Sequence, residues 1–273
     1  MILPSFVSLL LLAPCVLACP EHKNRYEVGD KRRKTSLSDP ACDWSYETPL
    51  NWGRNNPKYS LCHTGMQQSP ISVGLRRYGV AQYKIQWAYN NETKGNFYNW
   101  GYGPAFTVIV PKGGYNGGPH FTYRGLTGYL KGWHIHTPAE HIVDGYRAKA
   151  ELHLVHVDTQ GRDNAVLAIR LDPGDTESPF FAQLPPMIGP KDAAKKQTQI
   201  TVDHTKALDS VLRVLEFWEY QGSLTTPPCG EGIRWFIARP VMPMSMGQMR
   251  VILGASTYSA RPEQAVWQHN VNG

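Results

Sequence analysis

The sequence predicts a mainly β fold: a single domain built on a large, mostly antiparallel, twisted central sheet with short helices at its periphery. Three observations point there. Short strand-like runs recur between Gly- and Pro-rich turns from residue 71 onwards. Segments with helical periodicity are few and brief. The 273 residues are enough for one large domain, and neither an internal repeat nor an interdomain linker divides them.

Residues 1–18, MILPSFVSLLLLAPCVLA, hold an apolar stretch too short for a membrane span and end in the small Ala18. They read as a secretory signal peptide, although no basic residue opens them. Val16-Leu17-Ala18 before Cys19 also permits a bacterial lipoprotein signal with anchoring at Cys19. No other segment is apolar enough to span a bilayer. Residues 19–41 form a charged leader or propeptide, with Lys31-Arg32-Arg33-Lys34 as a candidate processing site. Within this leader, residues 21–34 carry six basic and three acidic side chains, a net +3 and so half of the formal +6 charge. A charge run is usually a solvated tail, so the excess argues for no nucleic-acid partner.

The domain proper is expected over residues 42–273. From Cys42 to Pro70, aromatics alternate with Pro, Gly and Asn, a composition suited to wrapping a core. Strands are expected at residues 83–89, 106–110 and 120–123, with a Gly-rich turn at 113–118. Asn91-Glu92-Thr93 is the only glycosylation sequon and lies in a polar turn. Residues 164–171 and 232–239 read as further strands. Short helices are expected at 178–184, 204–212 and 245–253.

The densest chemistry lies in residues 133–156, WHIHTPAEHIVDGYRAKAELHLVH. His134 and His136 are two apart, so a strand points both imidazoles to one face. Residues 151–155 alternate in the same way after the turn-like Asp144-Gly145, and antiparallel pairing brings His153 opposite the first two. Three neutral imidazoles without a fourth protein ligand make an open tetrahedral site that suits Zn²⁺ and leaves one position for water. Glu151, on the same face as His153, is placed to accept a ligand's outer ring N–H. A lone strand histidine is more often an ordinary core or surface residue, and only the joint pattern outweighs that reading.

The second chemical stretch is residues 220–231, YQGSLTTPPCGE. Each proline fixes its own φ and biases its predecessor away from helix, which stiffens the loop into a candidate wall for the site. Cys15 would leave with the signal, so Cys19, Cys42, Cys62 and Cys229 remain. Four cysteines allow two bridges in three connectivities.

These stretches resemble the α-class carbonic anhydrases over about residues 44–262, and the secreted leader and cysteine positions are similar to fungal and bacterial members. The signatures are Gln68-Ser69-Pro70, His134-x-His136 with Ala139-Glu140-His141, residues 150–156, Ser223-Leu224-Thr225-Thr226-Pro227-Pro228, Glu231 with Trp235, and Ala260-Arg261-Pro262. The resemblance implies that His134, His136 and His153 hold Zn²⁺ and that zinc-bound hydroxide attacks CO₂ to give bicarbonate and a proton. It implies that Thr225 donates to Glu140 and orients the nucleophile, that Thr226 contacts bicarbonate, and that His141 and Tyr220 brace the site. Val155, Val166, Leu224, Ile233 and Trp235 match the apolar wall facing CO₂. Cys62 and Cys229 match the bridge of secreted members, which leaves Cys19 and Cys42 either paired or, after leader cleavage, Cys42 free to link a homodimer. Otherwise a monomer is expected.

Two positions depart from the family pattern. Tyr102 stands where a proton-shuttling histidine is expected, and a phenol with an unperturbed pKa near ~10 is at best a weak relay at neutral pH. Slow proton export is therefore expected. Gly132 stands where many members carry a glutamine that bonds the first ligand. Two other readings compete: a cupin-like metal site with Glu140 as a ligand, and a carbonic-anhydrase-like domain that binds without catalysing.

Overall fold

The structure, a computed structural model, describes residues 44–75, 78–193 and 196–273. The signal-like segment, the leader, Cys19 and Cys42 lie outside the described residues. The strands in chain order are β1 (Ser72–Val73), β2 (Gln86–Ala88), β3 (Thr93–Asn99), β4 (Pro104–Val108), β5 (His120–Tyr123), β6 (Leu126–His136), β7 (Ile142–Val143) and β8 (Ala150–Val157). They continue with β9 (Asp163–Gly174), β10 (Gln197–Val202), β11 (Phe217–Ser223), β12 (Glu231–Ala238) and β13 (Met242–Ser245). Eleven of these build one sheet along the path β10-β3-β4-β6-β8-β9-β12-β11, with β2, β5 and β13 attached at its sides. Its pairs are antiparallel except where β12 and β13 run parallel to β9. The expected large, mostly antiparallel sheet with short peripheral helices is what the chain forms.

Two-residue alternation sends the central strands' side chains to opposite faces with different tasks. Trp133 and Ile135 of β6, Leu152 and Leu154 of β8, and Leu167 and Ile169 of β9 enter one apolar core. The residues between them, His134, His136, Glu151 and His153, must then share the other face. Val166 and Ala168 of β9 join Ile233, Trp235 and Ile237 of β12 in a second cluster on that face. The near-continuous apolar run of β9 reflects cover on both sides.

Several elements differ from expectation for physical reasons. The strand expected at 83–89 contracts to Gln86–Ala88, and that expected at 106–110 lies at Pro104–Val108. β3 and β10 carried no clear sequence signal. β3 contains Lys94, Gly95 and Asn96, residue types depleted in strands, but a Cβ at Gly95 would run into the Phe106 ring and the Thr107 carbonyl. β10 is a polar edge strand. The helix expected at 204–212 stops at Asp209: the backbone leaves the helical region at Val211 (φ −124°, ψ 36°), and Leu212, Arg213 and Val214 then take left-handed φ values of 53°, 52° and 58°. The helix at Met246–Gly254 begins one residue later than expected because Ser245 is its cap, with Gln248 N–H donating to Ser245 Oγ.

Candidate metal centre and its surroundings

The antiparallel register of β6 and β8 sets His134 opposite His153 and His136 opposite Glu151. His136, His153, Glu140 and Glu151 are buried, whereas His134 is half-buried. Ring centroids of His134, His136 and His153 lie 4.5 to 5.3 Å apart. The ligand-capable atoms of the three all fall within 4.8 Å of one another.

Tautomers follow from the outer contacts. His136 Nδ1 lies 2.5 Å from the Ser259 carbonyl, so it carries the proton and leaves Nε2 with a lone pair. His153 Nε2 lies 2.7 Å from Glu151 Oε1, which leaves Nδ1 with the lone pair. Burial lowers the His136 pKa to about 4 against the opposing pull of the Ser259 carbonyl and Glu151. Burial and His136 likewise lower that of His153. The two rings are therefore neutral donors near pH 7.

These residues fit a zinc ion. His134 Nε2 and His136 Nε2 approach to 2.9 Å, and a tetrahedral shell with Zn–N bonds of about 2.0–2.1 Å would space its nitrogens about 3.3 Å apart. An all-imidazole set suits Zn²⁺.

Glu151 anchors the lower layer of the site. Its Oε1 also lies 2.6 Å from His141 Nδ1, and Oε2 accepts the His141 backbone N–H at 2.9 Å. Burial alone would push this carboxyl up, but His141 and His153 outweigh it and hold it well below the usual carboxylate range. His141 Nε2 meets the Tyr220 hydroxyl at 2.8 Å, and that hydroxyl lies 2.8 Å from Ser69 Oγ.

Glu140 Oε1 accepts the Arg261 backbone N–H at 2.8 Å, and Oε2 lies 3.7 Å from His136 Nε2. Oε2 is buried without a hydrogen bond of normal geometry. Burial pushes Glu140 up to about 7, while His153, the Arg261 amide and the Thr225 hydroxyl pull it down. Thr225 is buried and Thr226 beside it is half-buried. The cupin-like reading needs Glu140 among the ligands, yet the convergent trio contains His153 in its place.

Val166, Ile233 and Trp235 are buried in the second cluster, with Val155 and Leu224 packed against it. Trp235 lies 4.9 Å from both His141 and His153 between ring centroids, and its indole N–H donates to the Ser223 carbonyl at 2.9 Å. The Cys62–Cys229 disulfide ties the N-terminal wrap to the threonine loop across a sequence separation of 167. Asn91 is exposed in the turn before β3.

Tyr102 requires a correction. Its ring is 7% exposed and packs in an aromatic cluster with Trp44, Tyr46 and Trp52. A phenol enclosed in this way is poorly placed to pass protons to solvent. Sequence reasoning missed three contributors: the Ser259 carbonyl, the Arg261 amide and Trp100. The first two act through backbone atoms, which residue type does not reveal. Trp100 reaches the site only through hairpin geometry.

A depression of about 470 Å³, lined by residues including Asn90, Lys94, Tyr115 and Leu130, shares none of these site residues.

A family model described as eukaryotic-type carbonic anhydrase matches residues 47–271. An Arabidopsis thaliana protein named Alpha carbonic anhydrase 8 is 30% identical over 247 residues, covering 84% of this chain and 60% of that relative. The chain thus spans less than two thirds of that protein's length. Alpha carbonic anhydrase 4 of the same plant is 30% identical over 239 residues, covering 82% of this chain and 83% of the relative. The solved alpha-carbonic anhydrase of Thermovibrio ammonificans, in complex with the inhibitor sulfanilamide, superposes with a TM-score of 0.65 at 27% identity, covering 82% of this chain and 94% of that one.

Proposed function

Because the chain belongs to the eukaryotic-type, or alpha, carbonic anhydrase family, whose members are enzymes of CO₂ hydration, we propose that it reversibly converts CO₂ to bicarbonate and a proton in a zinc-dependent reaction. The observation that carries this reading is the convergence of three imidazoles, two of them with their ring protons turned outward to Ser259 and Glu151. His134, His136 and His153 would hold the ion. When bound, Zn²⁺ supplies Lewis-acid activation of water near neutral pH.

The chain's own groups then divide the remaining work. Glu151 and the Ser259 carbonyl hold two ligand rings in the tautomers that present lone pairs inward. Glu140, fixed by the Arg261 amide, accepts from Thr225, which leaves a Thr225 lone pair to accept a hydrogen bond from the attacking solvent molecule and so aims it. Val155, Val166, Leu224, Ile233 and Trp235 give apolar CO₂ a surface with few competing hydrogen bonds, and Thr226 contacts bicarbonate. His141 and Tyr220 brace Glu151 from behind.

Proton export is the slow step. The β3–β4 hairpin offers Trp100, whose N–H is committed to the Ile135 carbonyl at 3.3 Å, and the enclosed Tyr102. Neither replaces an imidazole.

The Cys62–Cys229 disulfide, the signal-like N-terminus and the exposed Asn91 sequon support a secreted, glycosylated enzyme. The test of the function is CO₂ hydration by purified protein before and after chelation, with activity restored by Zn²⁺. Chelator-resistant hydration, or none with zinc bound, contradicts it.

A further inference from the structure

Trp100 lies in the tight loop that joins β3 to β4 and reaches across to β6. Its ring centroid is 5.3 Å from that of His134 and 5.4 Å from that of His136. The indole N–H donates to the carbonyl of Ile135, the residue between those two histidines. Tyr102 and Tyr46 flank the indole at centroid distances of 5.1 and 6.3 Å.

The loop itself is well tied. Trp100 N–H donates to the Gly103 carbonyl at 3.0 Å, and Thr257 N–H donates to the Tyr102 carbonyl at 2.9 Å. The Asn99 amide donates to the Ile188 and Ala255 carbonyls at 2.8 and 2.7 Å. The indole is therefore a fixed wall against which both imidazoles rest.

His134 has the most to gain from such a wall. It is the half-exposed member of the trio, while His136 and His153 are buried. Gly132, two residues earlier on the same face, adds no side chain to steady it. A Cβ at that position would run into the Phe106 carbonyl oxygen and come within 3.1 Å of Thr107 Cα. The close approach of β4 thus bars any longer group at 132, and it is the same hairpin that delivers Trp100.

We propose that Trp100 is a positioning residue for the metal: its indole fixes the His134 and His136 rings by packing, from the side where residue 132 cannot contribute. This rests on the zinc reading above and goes beyond it by assigning a determinant of metal affinity. Loss of a group that orients a ligand typically weakens metal binding about 10–100-fold.

The test compares wild type, W100F and W100A in full-length mature protein. Zn²⁺ affinity is measured by competition with a chromogenic chelator, the visible spectrum is recorded after Co²⁺ loading, and Tm is taken without metal. The expected result is that W100A binds Zn²⁺ about tenfold or more weakly with an altered Co²⁺ band, while W100F, which keeps an aromatic ring, stays within about threefold of wild type. A merely structural role would lower the metal-free Tm and leave the affinity and band of the folded protein unchanged, and that outcome overturns the inference. If W100A does not fold, W100L carries the same comparison with similar bulk and no ring. Wild type that binds no zinc overturns the zinc reading itself, a result distinguishable from equal affinities across the series.

Discussion

Glu151 Oε1 stands 2.7 Å from His153 Nε2 across a single two-residue step of β8. The carboxylate and the imidazole lie on one face of one strand, so the backbone sets their geometry before any ion binds. Glu151→Gln should therefore keep the fold more nearly intact than Glu151→Ala and still weaken Zn²⁺ binding about 10–100-fold, because an amide oxygen is a poorer acceptor for the ligand's N–H. Chelator competition measures it. Unchanged affinity in Glu151→Gln would show that the contact does not tune the metal.

Thr225 is expected to act on the chemical step and to leave metal content alone. Thr225→Ala should lower kcat/KM for CO₂ hydration about 100-fold, the scale of losing one preorganised hydrogen-bonding group, with zinc stoichiometry unaltered. Thr225→Ser should recover much of the loss. Stopped-flow hydration alongside metal analysis checks both, and full activity in Thr225→Ala would remove the residue from the mechanism.

The hairpin's lack of an exposed imidazole makes a kinetic prediction. At saturating CO₂, kcat should rise with the concentration of an imidazole buffer, while kcat/KM stays flat, since only proton export is relieved. Independence of kcat from buffer would mean that a proton route exists elsewhere in the cavity.

Opening the Cys62–Cys229 bridge should destabilise the domain by roughly 3–5 kcal/mol in the chain-entropy account of a long closed loop. The C62S/C229S double variant, unfolded in urea beside wild type, gives the value. A difference below about 1 kcal/mol would mean that the loop carrying Thr225 is held by its other contacts, such as the Gln68 amide donating to the Cys229 carbonyl at 3.1 Å.

Part of the acid sensitivity of the metal-free protein should come from two histidines remote from the proposed chemistry, in addition to the depressed His136 and His153 and against the raised Glu140. Burial lowers the pKa of His156 and of His204 to about 3, against an unfolded value near ~6.5. Between those limits the unfolded chain binds more protons, so stability present above pH ~6.5 is lost as pH falls, by up to about 1.4 kcal/mol per pH unit for each histidine. Urea unfolding of metal-free protein should give a lower unfolding free energy at pH 5 than at pH 7, with a shallower dependence in His204→Leu. Equal stability at the two pH values would contradict this.

Much of the site was legible because period-two alternation carries both kinds of information at once. Trp133 and Ile135 had to face the core, so His134 and His136 had to face away, and the same logic placed Glu151 and His153. Contacts made by main-chain atoms were hidden: nothing in the identity of Ser259 or Arg261 announces that a carbonyl will orient His136 or that an amide will hold Glu140. Gly132 looked like a lost hydrogen-bonding residue, but the close approach of β4 explains it as a steric necessity. In the fold, strands β3 and β10 escaped because their polar residues are tolerated near the sheet edge, where pattern is weak. The enclosure of Tyr102, read from the sequence only as a weak relay, was hidden because the aromatic cluster around it draws on residues far away in sequence, Trp44 and Trp52 among them.

The account stands most directly on the metal content of the purified mature protein and of His134→Ala, measured together with chelator-sensitive CO₂ hydration. About one zinc per chain in wild type, with both zinc and hydration lost from His134→Ala, is the expected result. Hydration that persists in His134→Ala, or wild type that is active without metal, would contradict it.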